Sequence, residues 1–355
     1  MKAKGATKSA PESDELISAN KAEKSRVRRL AGLARRHEAL FWWLHSGYAL
    51  MLGVFVMWLG SRDFAFLRII VFHIAFIWLS SLFLPALAGA SCLSPLWRER
   101  LRLAVNYFNK NFYQQLLFFL LPVYYASSTL GSWNMLFVLL LAVSAVLSTM
   151  DIFYDRFLSV RWSLSALFFA FNLFACINVM LPVLWSISNS RALWISAGLA
   201  LFSFASLAWS MSRLRLRDTL TLLLAAAIVL FGSVYFLRPF IPPAPLSLGV
   251  TEFGNAVEDL RIVSPLTALP ATPGRIAALT HIKAPLGLRE NVRHRWTLDG
   301  REISTSRYHS VEGGRGLGFR LWTQVSWKAN PAARALVVGV ETEGGQLIGR
   351  ARLTR

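Results

Sequence analysis

Polar side chains inside otherwise apolar runs are the first residues of this chain whose chemistry needs an explanation. They are two histidines and two asparagines, His45, His73, Asn172 and Asn178. A neutral imidazole can bind a metal, relay a proton or act as a general base. The opposing interpretation is a hydrogen bond to a neighbouring helix. The sequence contains no His-Glu-x-x-His motif, so it predicts no metal site and no cofactor.

A pair of carboxylates four residues apart forms a second candidate. Asp151 and Asp155 would lie on one face of a helix and could share a divalent ion, as in some lipid-phosphate transferases. The nearby Arg156 and Arg161 offer simpler partners. We therefore expect salt bridges at a helix end in preference to catalysis.

Arginines in the C-terminal third form a third candidate. Because successive side chains of a strand point to opposite faces, Arg293 and Arg295 share one face of a predicted strand. Arg320 and Trp322 likewise share a face of another strand. If both strands belong to one sheet, these four side chains form a surface suited to an anionic or sugar ligand. The alternative is a solvated face whose charge discourages edge pairing.

Long apolar runs must carry the polar residues of the first two candidates. Of the 355 residues 55% are hydrophobic and 16% are charged, whereas soluble domains are about 45–50% apolar and about 25% charged. A bilayer needs roughly 20 apolar residues of helix. Seven stretches are long enough, namely residues 39–60, 64–90, 112–130, 133–150, 162–185, 192–211 and 219–237. The sequence therefore predicts a polytopic bundle of seven transmembrane helices over residues 39–238.

The charge distribution predicts an orientation. The formal net charge is +19, and Lys and Arg concentrate in the basic tail, residues 1–38, and in alternate loops. By the positive-inside rule the N-terminus is cytoplasmic. Seven crossings of a bacterial inner membrane then place the C-terminal domain in the periplasm. Because topology accounts for most of the positive charge, the charge does not indicate a nucleic-acid partner.

The C-terminal region has the alternation of a β-domain. After a proline-rich linker at residues 239–249, polar and apolar residues alternate through residues 250–355, and Asp299-Gly300 is a hairpin signal. Seven strands are predicted at residues 260–264, 276–283, 291–298, 302–308, 318–326, 335–341 and 346–353. This pattern predicts an all-β immunoglobulin-like sandwich, with His294 and Trp296 in its core.

Several short motifs of this region carry a family resemblance. They are His294-Arg295-Trp296, Asp299-Gly300-Arg301, Val311-Glu312-Gly313-Gly314 and Phe319-Arg320-Leu321-Trp322-Thr323. Their His-x-Trp, Gly-Gly and Trp pattern resembles the small C-terminal β-domain of an uncharacterised bacterial membrane-protein family, in which a multi-helix membrane region precedes the β-domain. The resemblance implies a fold and no activity.

Two functions follow as expectations. The first is non-enzymatic binding, scaffolding or sensing at the envelope, in which the β-domain contacts a glycan, an anionic lipid or a membrane or periplasmic protein. The alternative is a membrane enzyme or carrier for a lipid-linked or small substrate. It would act through the intramembrane His and Asn residues or the Asp151/Asp155 pair.

Overall fold

The computed structural model describes residues 47–48, 50–51, 54–55, 116–150, 160–211, 216–328, 330 and 332–355. The helices and strands below all lie within one unit, Ala49–Arg355. The helices are α1 (Leu116–Ala126), α2 (Met135–Thr149), α3 (Trp162–Trp185), α4 (Asn189–Met211) and α5 (Leu216–Leu237). A short 3-10 turn, Arg238–Phe240, follows α5.

Local chemistry explains where α3 and α5 stop. Ser186 follows α3 in the left-handed conformation, with φ of 52°, which ends the helix. Beyond α5, Pro242 and Pro243 lack the backbone N–H that a helix needs. Residues 241–246 of the predicted proline-rich linker are buried within the unit.

The predicted seven-helix transmembrane bundle is wrong. Within the described residues five helices have ten or more residues, and two segments, Ser163–Trp185 and Arg217–Phe240, are long and apolar enough to cross a membrane. With 15 residues α2 rises about 22 Å, less than a hydrocarbon core of about 30 Å. Hydropathy does not fix helix ends, and turns at residues 127–134 take up the end of the predicted span 112–130 and the start of the predicted span 133–150. The predicted spans 39–60 and 64–90 lie almost wholly outside the described residues.

The two long apolar segments differ in burial. In the most apolar window of Ser163–Trp185, 67% of the residues are buried within the chain, whereas in that of Arg217–Phe240 only 6% are. The exposed side chains of α5 include Leu220, Leu224, Ile228 and Val229. One side of α2 is similarly apolar and exposed at Leu136, Leu139, Leu140 and Val143. These helix faces have no cover within the described residues.

The predicted C-terminal β-domain is present as two antiparallel sheets. The strands are β1 (Ser247–Glu258), β2 (Arg261–Pro265), β3 (Gly274–Lys283), β4 (Arg289–Leu298), β5 (Arg301–Thr305), β6 (His309–Glu312), β7 (Phe319–Trp327), β8 (Ala335–Thr342) and β9 (Leu347–Thr354). Sheet A has the order β2-β1-β3-β7, and sheet B has the order β5-β4-β8-β9 with β6 also pairing β4.

Two strands, β1 and β6, were not predicted. The pattern of β1 is interrupted by Gly249 and Gly254, and β6 has only four residues. Gly254 is required by packing, because a Cβ there would collide with the side chain of Ile262 on the adjoining strand β2. A residue that weakens the strand signal in the sequence thus permits the close β1–β2 pairing.

A buried polar network joins the two sheets through His294. From β4 in sheet B, its Nε2 lies 2.9 Å from the hydroxyl of Thr280 and its Nδ1 lies 2.7 Å from that of Thr323, both in sheet A. Thr280 donates its own proton to the carbonyl of Leu321, so it accepts from Nε2–H. Thr323 then donates to Nδ1 and accepts from Trp296 Nε1–H at 2.9 Å. His294 and Trp296 are buried, as predicted.

The protonation of His294 follows from this arrangement. Burial lowers the pKa of His294 to about 3, with a smaller contribution from His309. The imidazole is therefore neutral near pH 7, and each of its two ring nitrogens has one partner. A neutral ring that both donates and accepts suits the two threonine hydroxyls.

Removing the hydroxyl of Thr323 should destabilise the sandwich. The change Thr323→Val leaves His294 Nδ1 and Trp296 Nε1–H buried without a partner. Each unpaired group lowers the free energy of unfolding by about 1–3 kcal/mol. We expect a clear fall in the thermal unfolding midpoint of the full chain in detergent. The control is Thr297→Val, on the same strand as His294 but on the outer face of sheet B. Equal midpoints for the two variants would contradict this role.

Candidate functional site

The contact that positions sheet B is a helix cap provided by Glu290. Its Oε2 accepts a hydrogen bond of 2.6 Å from the backbone N–H of Asn189, the first residue of α4. The first N–H groups of a helix lack intrahelical partners, and the helix dipole favours a carboxylate there. Glu290 lies at the start of β4 and is 4% exposed. The cap therefore ties a central strand of sheet B to the helices.

Three further hydrogen bonds fix β9 and the preceding turn to helix connections. Asn134 Nδ2 donates to the carbonyl of Leu347 at 3.0 Å, and Arg350 Nη2 donates to the carbonyl of Gly131 at 3.1 Å. Gln346 Nε2 donates to the carbonyl of Ile241 at 2.9 Å.

These helix connections all contact one end of the sandwich. They are the α1–α2 connection, the start of α4 and the segment after α5. We call this region the junction. The sandwich is attached there at several points, not only through the chain after α5.

The predicted arginines of β4 lie on the outer face of sheet B within an ion-pair network. Arg293 Nη2 and Arg295 Nη1 lie 3.4 Å and 3.1 Å from the two carboxylate oxygens of Glu341. Arg295 Nε also lies 3.4 Å from Glu302. The guanidinium of Arg293 stacks over the ring of Tyr308, with 5.0 Å from Cζ to the centroid. These contacts hold both arginines in defined positions, half-buried on the sheet.

Two arginines of β9 extend this face and were missed by the sequence analysis. Arg350 aligns with Gly339, which aligns with Arg295, so a glycine separates two arginines in one cross-strand row. Arg352 lies two residues further on the same face, and both β9 arginines are exposed. Neither has a carboxylate partner among the described residues. Their alternation in Arg350-Ala351-Arg352 is the same signal that identified Arg293 and Arg295.

The other two predicted ligand residues lie on a different surface. Arg320 and Trp322 belong to β7, an edge strand of sheet A. They point away from the core, so they lie on the outside of the opposite sheet from Arg293 and Arg295. Arg320 Nη1 contacts the carbonyl of Leu260 at 3.4 Å, and Trp322 is 41% exposed. The four residues do not form one surface.

The intramembrane candidates divide into described and undescribed residues. Asn178 Nδ2 donates to Tyr124 Oη at 3.2 Å, and that hydroxyl donates to the carbonyl of Ala175 at 2.8 Å. Asn178 thus links α3 to α1. A hydrogen bond to a neighbouring helix is the alternative that the sequence analysis set against a catalytic role. Asn172 is buried, and its amide makes no hydrogen bond within the described residues.

The other intramembrane candidates, His45, His73, Asp151 and Asp155, lie outside the described residues. Within the described part of the chain, no group of three or more His, Cys, Asp or Glu residues could hold a metal.

The cap predicts a specific pH dependence. Burial raises the pKa of Glu290 from 4.5 to about 7, opposed by the Asn189 hydrogen bond and reinforced by Glu343. Between these values the folded chain holds more protons than the unfolded chain, so the free energy of unfolding falls as the pH rises through this window. Glu290→Gln keeps an acceptor oxygen and removes the titration.

The measurement is the thermal unfolding midpoint at several pH values from 4.5 to 7.5. We expect the fall with rising pH to be smaller for Glu290→Gln than for the unmodified chain, while other titrations cancel in the comparison. Glu312→Gln, at an exposed carboxylate paired with Arg289, is the control and should follow the unmodified chain. Parallel curves for all three proteins would contradict the assignment.

Comparison with protein families matches residues 20–264 to the Family of unknown function (DUF5924). No curated protein and no solved structure matches the chain. The matched region includes the five described helices, β1 and all but the last residue of β2, whereas the motifs that carried the resemblance lie in later strands. The match spans more than half of the chain and confirms the prediction of an uncharacterised family. The chain belongs to the Family of unknown function (DUF5924).

Proposed function

We propose that this chain is a non-enzymatic binding protein of the bacterial inner membrane, whose helices anchor it and whose β-domain binds an anionic ligand. The observation that carries the proposal is the cross-strand row Arg295–Gly339–Arg350 on the outer face of sheet B. We place the β-domain at the membrane surface.

Exposed apolar helix surface supports membrane anchoring. The most apolar window of Arg217–Phe240 has a mean hydropathy of 2.4 but is only 6% buried. A core helix of a soluble protein would be covered, whereas lipid covers such a surface in a bilayer. The connection from α3 to α4 is three residues long, so α4 returns the chain toward the side where α3 begins.

Aromatic residues near the junction support the position of the membrane surface. Trp133 precedes α2 and is 70% exposed, Trp185 ends α3 and is 63% exposed, and Phe236 near the end of α5 is 75% exposed. Tyr235 lies beside Phe236. The guanidinium of Arg238 stacks over the ring of Tyr235. Tryptophan and tyrosine concentrate where hydrocarbon meets water. The β-domain would then begin at the membrane surface.

The chemistry of sheet B supports an anionic ligand. Glu341 holds Arg293 and Arg295, so their guanidinium groups are already oriented. Gly339 lies between Arg295 and Arg350 and has no side chain to separate them. Arg350 and Arg352 have no carboxylate partner in the described chain. A guanidinium forms bidentate hydrogen bonds to phosphate and carboxylate. A phosphate carried by an envelope glycan or by a lipid is the ligand chemistry that fits.

The proposal is tested by titrating the full chain in phosphatidylcholine nanodiscs with two probes. A phosphorylated core oligosaccharide represents the glycan source, and dihexanoyl phosphatidic acid represents the lipid source. We expect saturable calorimetric binding of at least one probe. The double change Arg350→Ala with Arg352→Ala should weaken it at least tenfold, since a tenfold loss needs only about 1.4 kcal/mol. Arg352→Ala alone, which leaves the hydrogen bond from Arg350 to the Gly131 carbonyl in place, should give part of the loss.

Matched variants on the other sheet complete the test. Arg320→Ala with Trp322→Ala removes the candidate pair of sheet A and should leave binding unchanged. If only this pair reduces binding, the ligand site belongs to sheet A and the assignment to sheet B fails. The absence of saturable binding to both probes would overturn the anion-binding function and leave protein partners to be sought by crosslinking.

A further inference from the structure

We propose that two loop tips of the β-domain, carrying Leu286 and Leu317, insert into the lipid headgroup layer and form a second membrane contact beside the helices. We call this pair the apolar tips. The inference rests on the membrane anchoring of the proposed function and is independent of the arginine site. Leu286 lies in the connection from β3 to β4, and Leu317 lies in the connection from β6 to β7.

The two loops support each other and are held in place. Gly313 N–H donates to the carbonyl of Leu288 at 2.9 Å, and Gly314 N–H donates to the carbonyl of Ala284 at 3.1 Å. The contact is so close that a Cβ at Gly313 would collide with the carbonyl oxygen of Pro285. Their backbone hydrogen bonds define how the tips project.

The β3–β4 loop lies at the junction. A Cβ on Gly287 would be 2.8 Å from the hydroxyl of Ser186, the residue that follows Trp185 at the end of α3. Glu290, three residues after Gly287, caps α4. The apolar tips are therefore close to the helix ends, near the aromatic residues that we assign to the membrane surface.

The apolar tips expose more of their side chains than any other large apolar residue of the described chain. Leu286 is 81% exposed and Leu317 is 80% exposed. Scattered exposed leucines are ordinary on soluble proteins, but here both lie on loops packed together at the helix end. Transferring an exposed leucine side chain from water into hydrocarbon lowers the free energy. Partial insertion of two leucines would recover a share of this energy.

Basic residues flank both tips and select a lipid surface as the occupant. Lys283 precedes Leu286 by three residues and Arg315 precedes Leu317 by two, whereas Arg289, which follows Leu286 by three residues, is paired with Glu312. The guanidinium of Arg315 stacks over the ring of Phe319 at 5.0 Å, which holds it beside the loop. An apolar tip beside cations matches the chemistry of a bilayer with anionic headgroups. A hydrophobic protein pocket would not need these charges.

The test measures lipid contact in the full chain. The two native cysteines are first removed by Cys92→Ser and Cys176→Ala. Single cysteines are then introduced and labelled with nitrobenzoxadiazole. The positions are Leu286→Cys, Leu317→Cys and Gly316→Cys, the last being a second position on the loop of Leu317. A Cβ at Gly316 meets open space, so this change should not disturb folding. Each protein is placed as a single copy in nanodiscs of phosphatidylcholine with phosphatidylglycerol. Quenching by lipids with a nitroxide at the headgroup or at carbon 5 is then recorded.

Two control positions define the scale. Ile228→Cys, on the exposed face of α5, reports insertion of the helices, and Ile303→Cys, on β5, reports an exposed apolar residue elsewhere on the sandwich. We expect labels at the apolar tips to be quenched at least twofold more than the label at Ile303. The quenching should decrease when phosphatidylglycerol is omitted. Because each disc holds one purified copy, neither a second copy nor another protein can shield the tips.

The outcomes separate the two proposals. If the label at Ile228 is not quenched, the helices are outside the bilayer and the membrane anchoring itself fails. If Ile228 is quenched but the labels at 286, 316 and 317 behave like the one at Ile303, only the insertion of the apolar tips is overturned. Quenching that is equal with and without phosphatidylglycerol would contradict the role of the flanking cations.

Discussion

The hydrogen bond between Glu290 and the N-terminus of α4 is the interaction on which the arrangement of this molecule depends. A helix that begins within a packed junction needs an acceptor for its first N–H groups, and here a β-strand supplies it. The same carboxylate gives up most of its hydration, which burial makes costly for the charged form. Strand β4 is therefore fixed to α4. The other strands of sheet B are positioned by their pairing with β4 or, for β9, with β8.

This attachment explains how a small sandwich can present defined surfaces. The outer face of sheet B lies next to the α1–α2 connection through Arg350. The loops with Leu286 and Leu317 lie beside the end of α3. A domain on a flexible linker would lose orientational freedom on binding at a surface, and a domain already fixed at several points loses less. Both proposed contacts use this preorganisation.

The buried and half-buried polar groups show two ways of satisfying charge and hydrogen bonding in a sandwich. His294 stays neutral and uses both ring nitrogens on threonine hydroxyls from the opposite sheet. Glu341 stays between Arg293 and Arg295. Such networks favour one packing of the two sheets, because any shift would leave several groups unpaired. Part of the arginine face that suggested ligand binding thus has a structural role as well.

The sequence alone determined the strand faces and the position of α3, and the tertiary structure decided which residues meet. Alternation placed His294 inward and Arg293 outward correctly, because the two-residue period of a strand is local. Sheet membership is not local: Arg320 lies in sheet A because β7 pairs β3, a relation between distant residues. Helix continuity and the Glu290 cap depend likewise on neighbours that hydropathy does not represent. The apolar runs therefore predicted helices but too many membrane crossings. Arg350 joins the row of arginines because β9 pairs with β8 and sets Arg350 opposite Gly339.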